Sequence, residues 1–162
     1  MMNASPNQRL FTRLNRFTWL MDLYSDNFVR LQHMLELKDM QPGIYFSEGT
    51  DGLMLRLEVL EHHNYTIEIK LSYTLRDADT GALDPSAMIR VYFDSKQCEV
   101  SHCYVGKRWQ DVLGVRPNLA QMVSHRLRMN GFLNKWLLYL KQQNHHKQSW
   151  FPEATTALFT ES

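Results

Sequence analysis

The chain has 162 residues, of which 44% are hydrophobic and 22% charged, and its formal net charge is +1. That length and composition suit one domain with its own core and exclude wholesale disorder. So small a net charge excludes global steering toward nucleic acid or an anionic membrane.

Ser5-Pro6-Asn7-Gln8 has the form of a helix start, with a Ser cap, Pro in the first turn and Gln at the capping-box position. Leu10, Leu14, Phe17, Met21, Tyr24, Phe28, Leu31 and Leu35 follow at steps of four and three, which predicts a long helix with one apolar stripe. Such a heptad also permits a coiled-coil homodimer, although Phe11, Trp19, Leu20, Leu23 and Met34 broaden the stripe toward packing on a sheet. Thr18 and Trp19 are indifferent helix formers and allow a break before Phe17. Arg9, Arg13 and Arg16 precede the first acid, Asp22, and we read them as part of this amphipathic helix rather than a transit peptide.

Pro42-Gly43 ends the helical part, a short strand spans 44–48, and Gly49-Thr50-Asp51-Gly52 is a turn. Leu53, Leu55, Leu57 and Val59 then alternate with polar residues, and a second long strand runs over 65–75. Matching the apolar faces pairs Val59 with Tyr65 and Leu57 with Ile67, with Arg56 opposite Glu68. Residues 76–86 are loop-like.

A hairpin follows. Ile89, Val91 and Phe93 alternate with Met88, Arg90 and Tyr92 before the polar turn Asp94-Ser95-Lys96-Gln97. The expected register sets Phe93 against Cys98, Val91 against Val100 and Ile89 against His102. The outer face then carries Arg90, Tyr92, Glu99 and Ser101, with Arg90 and Glu99 diagonal neighbours. Cys98 and Cys103 fall on opposite faces and do not pair; free thiols fit a reducing compartment. After a connection over 106–117, in which Trp109, Val112, Leu113 and Val115 pack down, Asn118 caps a last helix with Gln121 answering. Leu119, Met122, Met129, Leu133, Trp136, Leu137 and Leu140 form its apolar side, and Gly131 in its middle suggests close packing. No carboxylate lies between Asp111 and Glu153, so this helix is basic and is expected beside the more acidic sheet. Residues 1–147 form the single domain, and 148–162 a partly mobile tail anchored by Trp150 and Phe151.

Three segments carry a family likeness from Phe17 to Asn144: Leu20-Met21-Asp22-Leu23-Tyr24-Ser25-Asp26-Asn27-Phe28-Val29-Arg30-Leu31; the hairpin with Arg90, Tyr92, Asp94, Glu99 and Val100; and Asn130-Gly131-Phe132-Leu133-Asn134-Lys135-Trp136-Leu137. In this order they resemble the domain-of-unknown-function family 1249, YqiB-like proteins found mainly in proteobacteria. The family usually places an acidic pair and Lys before the Asn of the third segment. Ser124-His125-Arg126 stand there in this chain, which keeps the base and loses both acids. The resemblance implies a bacterial, cytoplasmic protein and supplies no activity.

Arg90, Tyr92 and Glu99 are the candidate ligand-binding cluster, with Arg as a fork for carboxylate or phosphate and Arg126 or Arg128 of the last helix approaching it. The plainer reading is a solvated sheet face with cross-strand pairs. His102 and Glu99 point apart, so they form no acid–base pair. Cys98, His102 and a nearby His62 or His63 lack any recognised metal-ligand spacing, and no cofactor motif is present. We therefore expect an α+β fold, an antiparallel β meander of about five strands flanked by an N-terminal and a C-terminal helix that cover one sheet face. The expected function is a non-enzymatic binding or accessory module for a protein partner or a small anionic ligand, without metal or membrane. The alternative is an enzyme acting on a small phosphorylated or carboxylated metabolite. Nucleic acid is disfavoured, because the positive surplus is small.

Overall fold

A computed structural model describes residues 6–106, 109–110 and 122–153. The side chains of Leu10 and Leu14, the Asn118 cap with Gln121, Val112, Leu113, Val115, Leu119, Arg116 and the tail beyond 153 lie outside the described parts.

The predicted helix is α1, Pro6–Met34, and it runs continuously through Phe17, where a break was allowed. An Asp26–Arg30 ion pair one turn apart supports its second half. The stripe changes character along its length. Tyr24, Phe28, Leu31 and Leu35 are buried, whereas Phe17 is 59% and Trp19 60% exposed, so these two do not join the covered stripe. A 3-10 turn, Leu37–Asp39, then leads to the sheet.

Six antiparallel strands follow: β1 Gly43–Glu48, β2 Met54–His62, β3 Thr66–Tyr73, β4 Ser86–Tyr92, β5 Gln97–Tyr104 and, after α2 (Met122–Gln142), the two-residue β6 Phe151–Pro152. Their order is β5-β4-β3-β2-β1-β6. The meander of five is thus extended by one strand from the expected tail, where Phe46 faces Phe151 and Tyr45 faces Pro152. Trp150 anchors the same stretch by donating its indole N–H to the Met34 carbonyl at 3.0 Å.

Alternation with period two sends one set of side chains from every strand inward. Leu55, Leu57, Val59, Ile67, Ile69, Leu71, Ile89, Val91, Cys98 and Val100 form that inner face, buried with Phe28 and Leu31 of α1 and Leu133, Trp136, Leu137 and Leu140 of α2. Each large apolar side chain removed from water contributes about 1.5–3 kcal/mol before the entropy of ordering is set against it. Trp109 packs down as expected, stacking on Tyr73 at 4.8 Å. Gly131 does not serve close packing, because a Cβ added there would meet nothing within 4 Å.

Two registers differ from expectation while the faces stay the same. Val59 pairs with Ile69 and Leu57 with Leu71, so Arg56 stands opposite Ser72 and reaches Glu58 of its own strand at 3.4 Å. Val91 pairs with Cys98 and Ile89 with Val100, which places the turn at Phe93–Lys96, one residue earlier than expected. Lys96 there has a φ of 55°. Both slips are even-numbered, so inward residues remain inward; alternation determines parity, and only turn geometry determines the offset.

A bulge overturns a third expectation. Ile89 pairs with Val100 but Met88 pairs with His102, leaving Ser101 as the extra residue. Beyond it the faces exchange: His102 is exposed beside Met88, and Cys103 turns inward opposite Ala87. Cys98 and Cys103 therefore share a face, both free, with burial pushing each thiol up to about 12. Cys98 and His102, considered above as joint metal ligands, are on opposite faces.

Candidate functional site

The hairpin gathers three of the five predicted site residues. Arg90 stands directly opposite Glu99, not diagonal to it, and Tyr92 donates its hydroxyl to Glu99 Oε1 at 2.9 Å. Partial burial, and then that bond, raise the Tyr92 phenol above its ordinary pKa. Arg90 Nη2 also lies 3.9 Å from Glu68 Oε2. Two carboxylates flank the one guanidinium, so the cluster has no surplus positive charge for an anion. Arg126 and Arg128 do not complete it: they stand on α2, in the layer packed on the inner face, whereas Arg90, Tyr92 and Glu99 look outward. Among the described residues, the sheet's ion pairs lie within the sheet rather than with the basic helix. Arg56 and Arg90 find carboxylates within the sheet, and Lys147 reaches Glu36 behind α1 at 3.2 Å.

A better-formed recess lies between the C-terminal ends of the two helices. It has a volume of about 330 Å³ and takes Asp26, Arg30 and His33 from α1 and Lys141, His145 and His146 from the end of α2. The last turn of α2 explains how the histidines arrive there. Asn144 adopts a φ of 65°, its N–H donates to Lys141 O, and the His145 N–H donates to Leu140 O. This is a Schellman cap with Asn in the left-handed position usually held by glycine. It ends the helix, satisfies two terminal carbonyls and folds His145 back toward β1.

His145 is 3% exposed. Its Nδ1 lies 2.7 Å from Ser47 Oγ, which in turn lies 2.7 Å from Ser149 Oγ, while Nε2 is buried without a hydrogen bond among the described residues. Burial holds its pKa below the ordinary histidine value. The carboxylate of the recess is already engaged. Arg30 Nε donates to Asp26 Oδ2 at 2.8 Å and Asn134 donates to the same oxygen at 2.5 Å, and these bonds hold the Asp26 pKa below its usual value. His33, Lys141 and His146 remain as the lining groups that Asp26 does not engage.

Behind the recess, Asn27 and Asn130 join the layers. Asn27 donates to Asn130 O at 3.0 Å and accepts from Asn134 at 2.9 Å. Asn130 accepts the Val100 N–H at 3.0 Å and donates to Arg126 O at 2.9 Å. These side chains come from the first and third of the family-like segments, so the likeness marks residues that clamp α1, α2 and β5 together. Sequence reasoning missed the recess because Arg30 and His33 are separated from Lys141 and His146 by the whole sheet. The His145-His146-Lys147 run is the available signal, but a basic end also suits the negative pole of any helix and so does not by itself mark a recess.

The fold and recess define a two-layer α+β protein whose terminal helices frame a cation-lined groove. The chain belongs to the family described as Protein of unknown function (DUF1249), whose model matches residues 30–146. The match begins inside α1, so most of the first family-like segment precedes it. No curated protein and no solved structure matches the chain. Among the described residues, no helix is long and apolar enough to cross a membrane, and no three His, Cys, Asp or Glu side chains converge to hold a metal ion.

Proposed function

We propose that the chain is a non-enzymatic binding module for a small anionic ligand, held between the ends of α1 and α2. One observation supports the reading: His33, Lys141 and His146 converge on a recess in which the carboxylate among the described lining residues, Asp26, is already matched by Arg30 and Asn134. A volume of about 330 Å³ suits a phosphate or a small carboxylate and excludes a polymer. The negative pole that two helix ends would present is reduced, because Leu140 O, Lys141 O and Met34 O all accept hydrogen bonds. A bacterial cytoplasm is part of the same reading, supported by the family likeness and by two cysteines left as thiols.

Calorimetric titration with inorganic phosphate and with citrate tests the proposal. Lys141→Ala is expected to weaken binding about tenfold, as loss of one charge-assisted contact should. Arg90→Ala, on the other side of the sheet, is expected to leave it unchanged. Absence of binding by either anion up to about 10 mM would sink the reading. A second copy of the chain is the partner we propose for the first half of α1, where Phe17 and Trp19 are open. Light scattering that gives the mass of one chain at high concentration would exclude it.

A further inference from the structure

A second hollow, independent of the groove between the helices, lies on the face of the sheet turned away from them. Leu55, Leu57, Leu71, Tyr73 and Ala87 belong to the core, so alternation turns Arg56, Ser72 and Ser86 outward. The register sets these residues in one row. Phe46 stands opposite Arg56, Arg56 opposite Ser72, and Ser72 opposite Ser86. Neighbouring strands lie about 4.8 Å apart, so this row across β1 to β4 is about 14 Å long. The β3–β4 connection folds back through an Arg76–Leu83 bridge, and both of those residues wall the row. The space has a volume of about 550 Å³.

Its charge is unbalanced. Arg56, Lys70 and Arg76 line it, with Glu58 as the carboxylate among the described lining residues. Arg56 directs both Nη atoms to Glu58 Oε2 at 3.4 Å, which matches that pair. Lys70 has no ion pair or hydrogen bond among the described residues, and Arg76 gives its Nη1 to the neutral Gly81 carbonyl at 2.9 Å. Two cations are left without a carboxylate.

Ser72 lies at the centre of this arrangement. Arg56 and Ser86 flank it across the strands, Lys70 and Thr74 flank it along the chain, and all four line the hollow. Ser72 is 0% exposed, and its Oγ has no hydrogen-bond partner among the described residues. A buried hydroxyl without a partner is costly, and an acceptor brought in above it offsets that cost. The long side chains of Arg56 and Lys70 beside it can turn to such an acceptor and uncover the hydroxyl.

Charge and shape together select the ligand. A phosphate monoester carries close to two negative charges on one centre, with several acceptor oxygens for Lys, Arg and hydroxyl donors. A lone phosphate would leave the Phe46 end of the row empty. Phe46 is half-buried there, its ring tilted against Phe151 at 6.1 Å, and a further ring can pack on it in the same manner. We infer that this hollow binds a phosphate monoester on a flat aromatic body, its phosphate held by Lys70 and Arg76 over Ser72 and its ring against Phe46.

The test is an amide NMR titration of the full chain with phenyl phosphate, and with phenol and inorganic phosphate as comparisons. Saturable shifts are expected for phenyl phosphate at Phe46, Arg56 and the 70–74 segment, with either comparison at least about tenfold weaker there. Lys70→Gln is expected to weaken binding about tenfold, and Lys141→Ala, in the other groove, to leave these shifts unchanged. Ser72→Ala should weaken binding about fivefold without lowering the thermal midpoint of the free chain, because the hydroxyl it removes has no partner there. Should a variant fold poorly, the contrast among the three probes on the native chain still decides. No saturable shift, phenol or inorganic phosphate binding as tightly at these amides, or undiminished binding by Lys70→Gln would each overturn the inference. Shifts confined to Arg30, His33 and Lys141 would also overturn it, while supporting the anion site between the helices.

Discussion

Asn130 sits in the interior with every polar atom of its side chain engaged, taking the Val100 N–H and giving its own to Arg126 O. Asn130→Ala would strand a backbone donor on β5 and a carbonyl on α2. We expect a loss of about 2–3 kcal/mol, read as a thermal midpoint lower by roughly 5–10 °C. His145 makes a different prediction. Burial disfavours its charged form, the neighbouring His146 adds to that effect and Asp51 opposes it, so the folded pKa lies below the ordinary 6.5 of the unfolded chain. The unfolded chain therefore takes up this proton first as pH falls. The His145 contribution to stability is complete above about 6.5 and declines below it until the folded imidazole is also protonated. His145→Gln should flatten the slope of unfolding free energy between neutral pH and that lower pKa; an unchanged slope would remove His145 from the account.

For the elements, Gly131 supplies the simplest test. It lies in the interior of α2 with no neighbour that a methyl group would strike, so Gly131→Ala should stabilise the chain by about 1 kcal/mol in denaturant unfolding. A loss instead would reveal a packing role that the empty space denies. The elements also show what the sequence could convey. Helical spacing disclosed α1, and alternation disclosed which residues of β2 to β5 face inward, because both are local periodicities. Register was beyond that signal: a slip of two or four residues preserves every apolar match, and the Ser101 bulge that reverses His102 and Cys103 has no period of its own. The candidate site suffered from the same limit at longer range. Arg90, Tyr92 and Glu99 share a face by local alternation, while nothing in the sequence told that α2 would carry Arg126 and Arg128 to the other side.

At the scale of the molecule, one layer of helices covers one face of the sheet, so both thiols lie toward the covered side. Cys98 is buried and Cys103 partly so, each with its thiol pushed up to about 12. Maleimide at pH 8 should label the native chain far more slowly than the chain in denaturant. Rapid labelling of the native chain would show that the β5–α2 side opens easily.

The two margins of the sheet are closed by unlike means. On β5, Asn130 occupies the Val100 donor and the bulge at Ser101 breaks the regular ladder. On the opposite margin β6 is two residues long and ends in Pro152, which has no N–H to offer. At these places a free strand meeting the rim finds the donor taken or missing, which disfavours pairing between chains there. Whatever the molecule recruits, the sheet leaves that recruitment to side chains in its hollows.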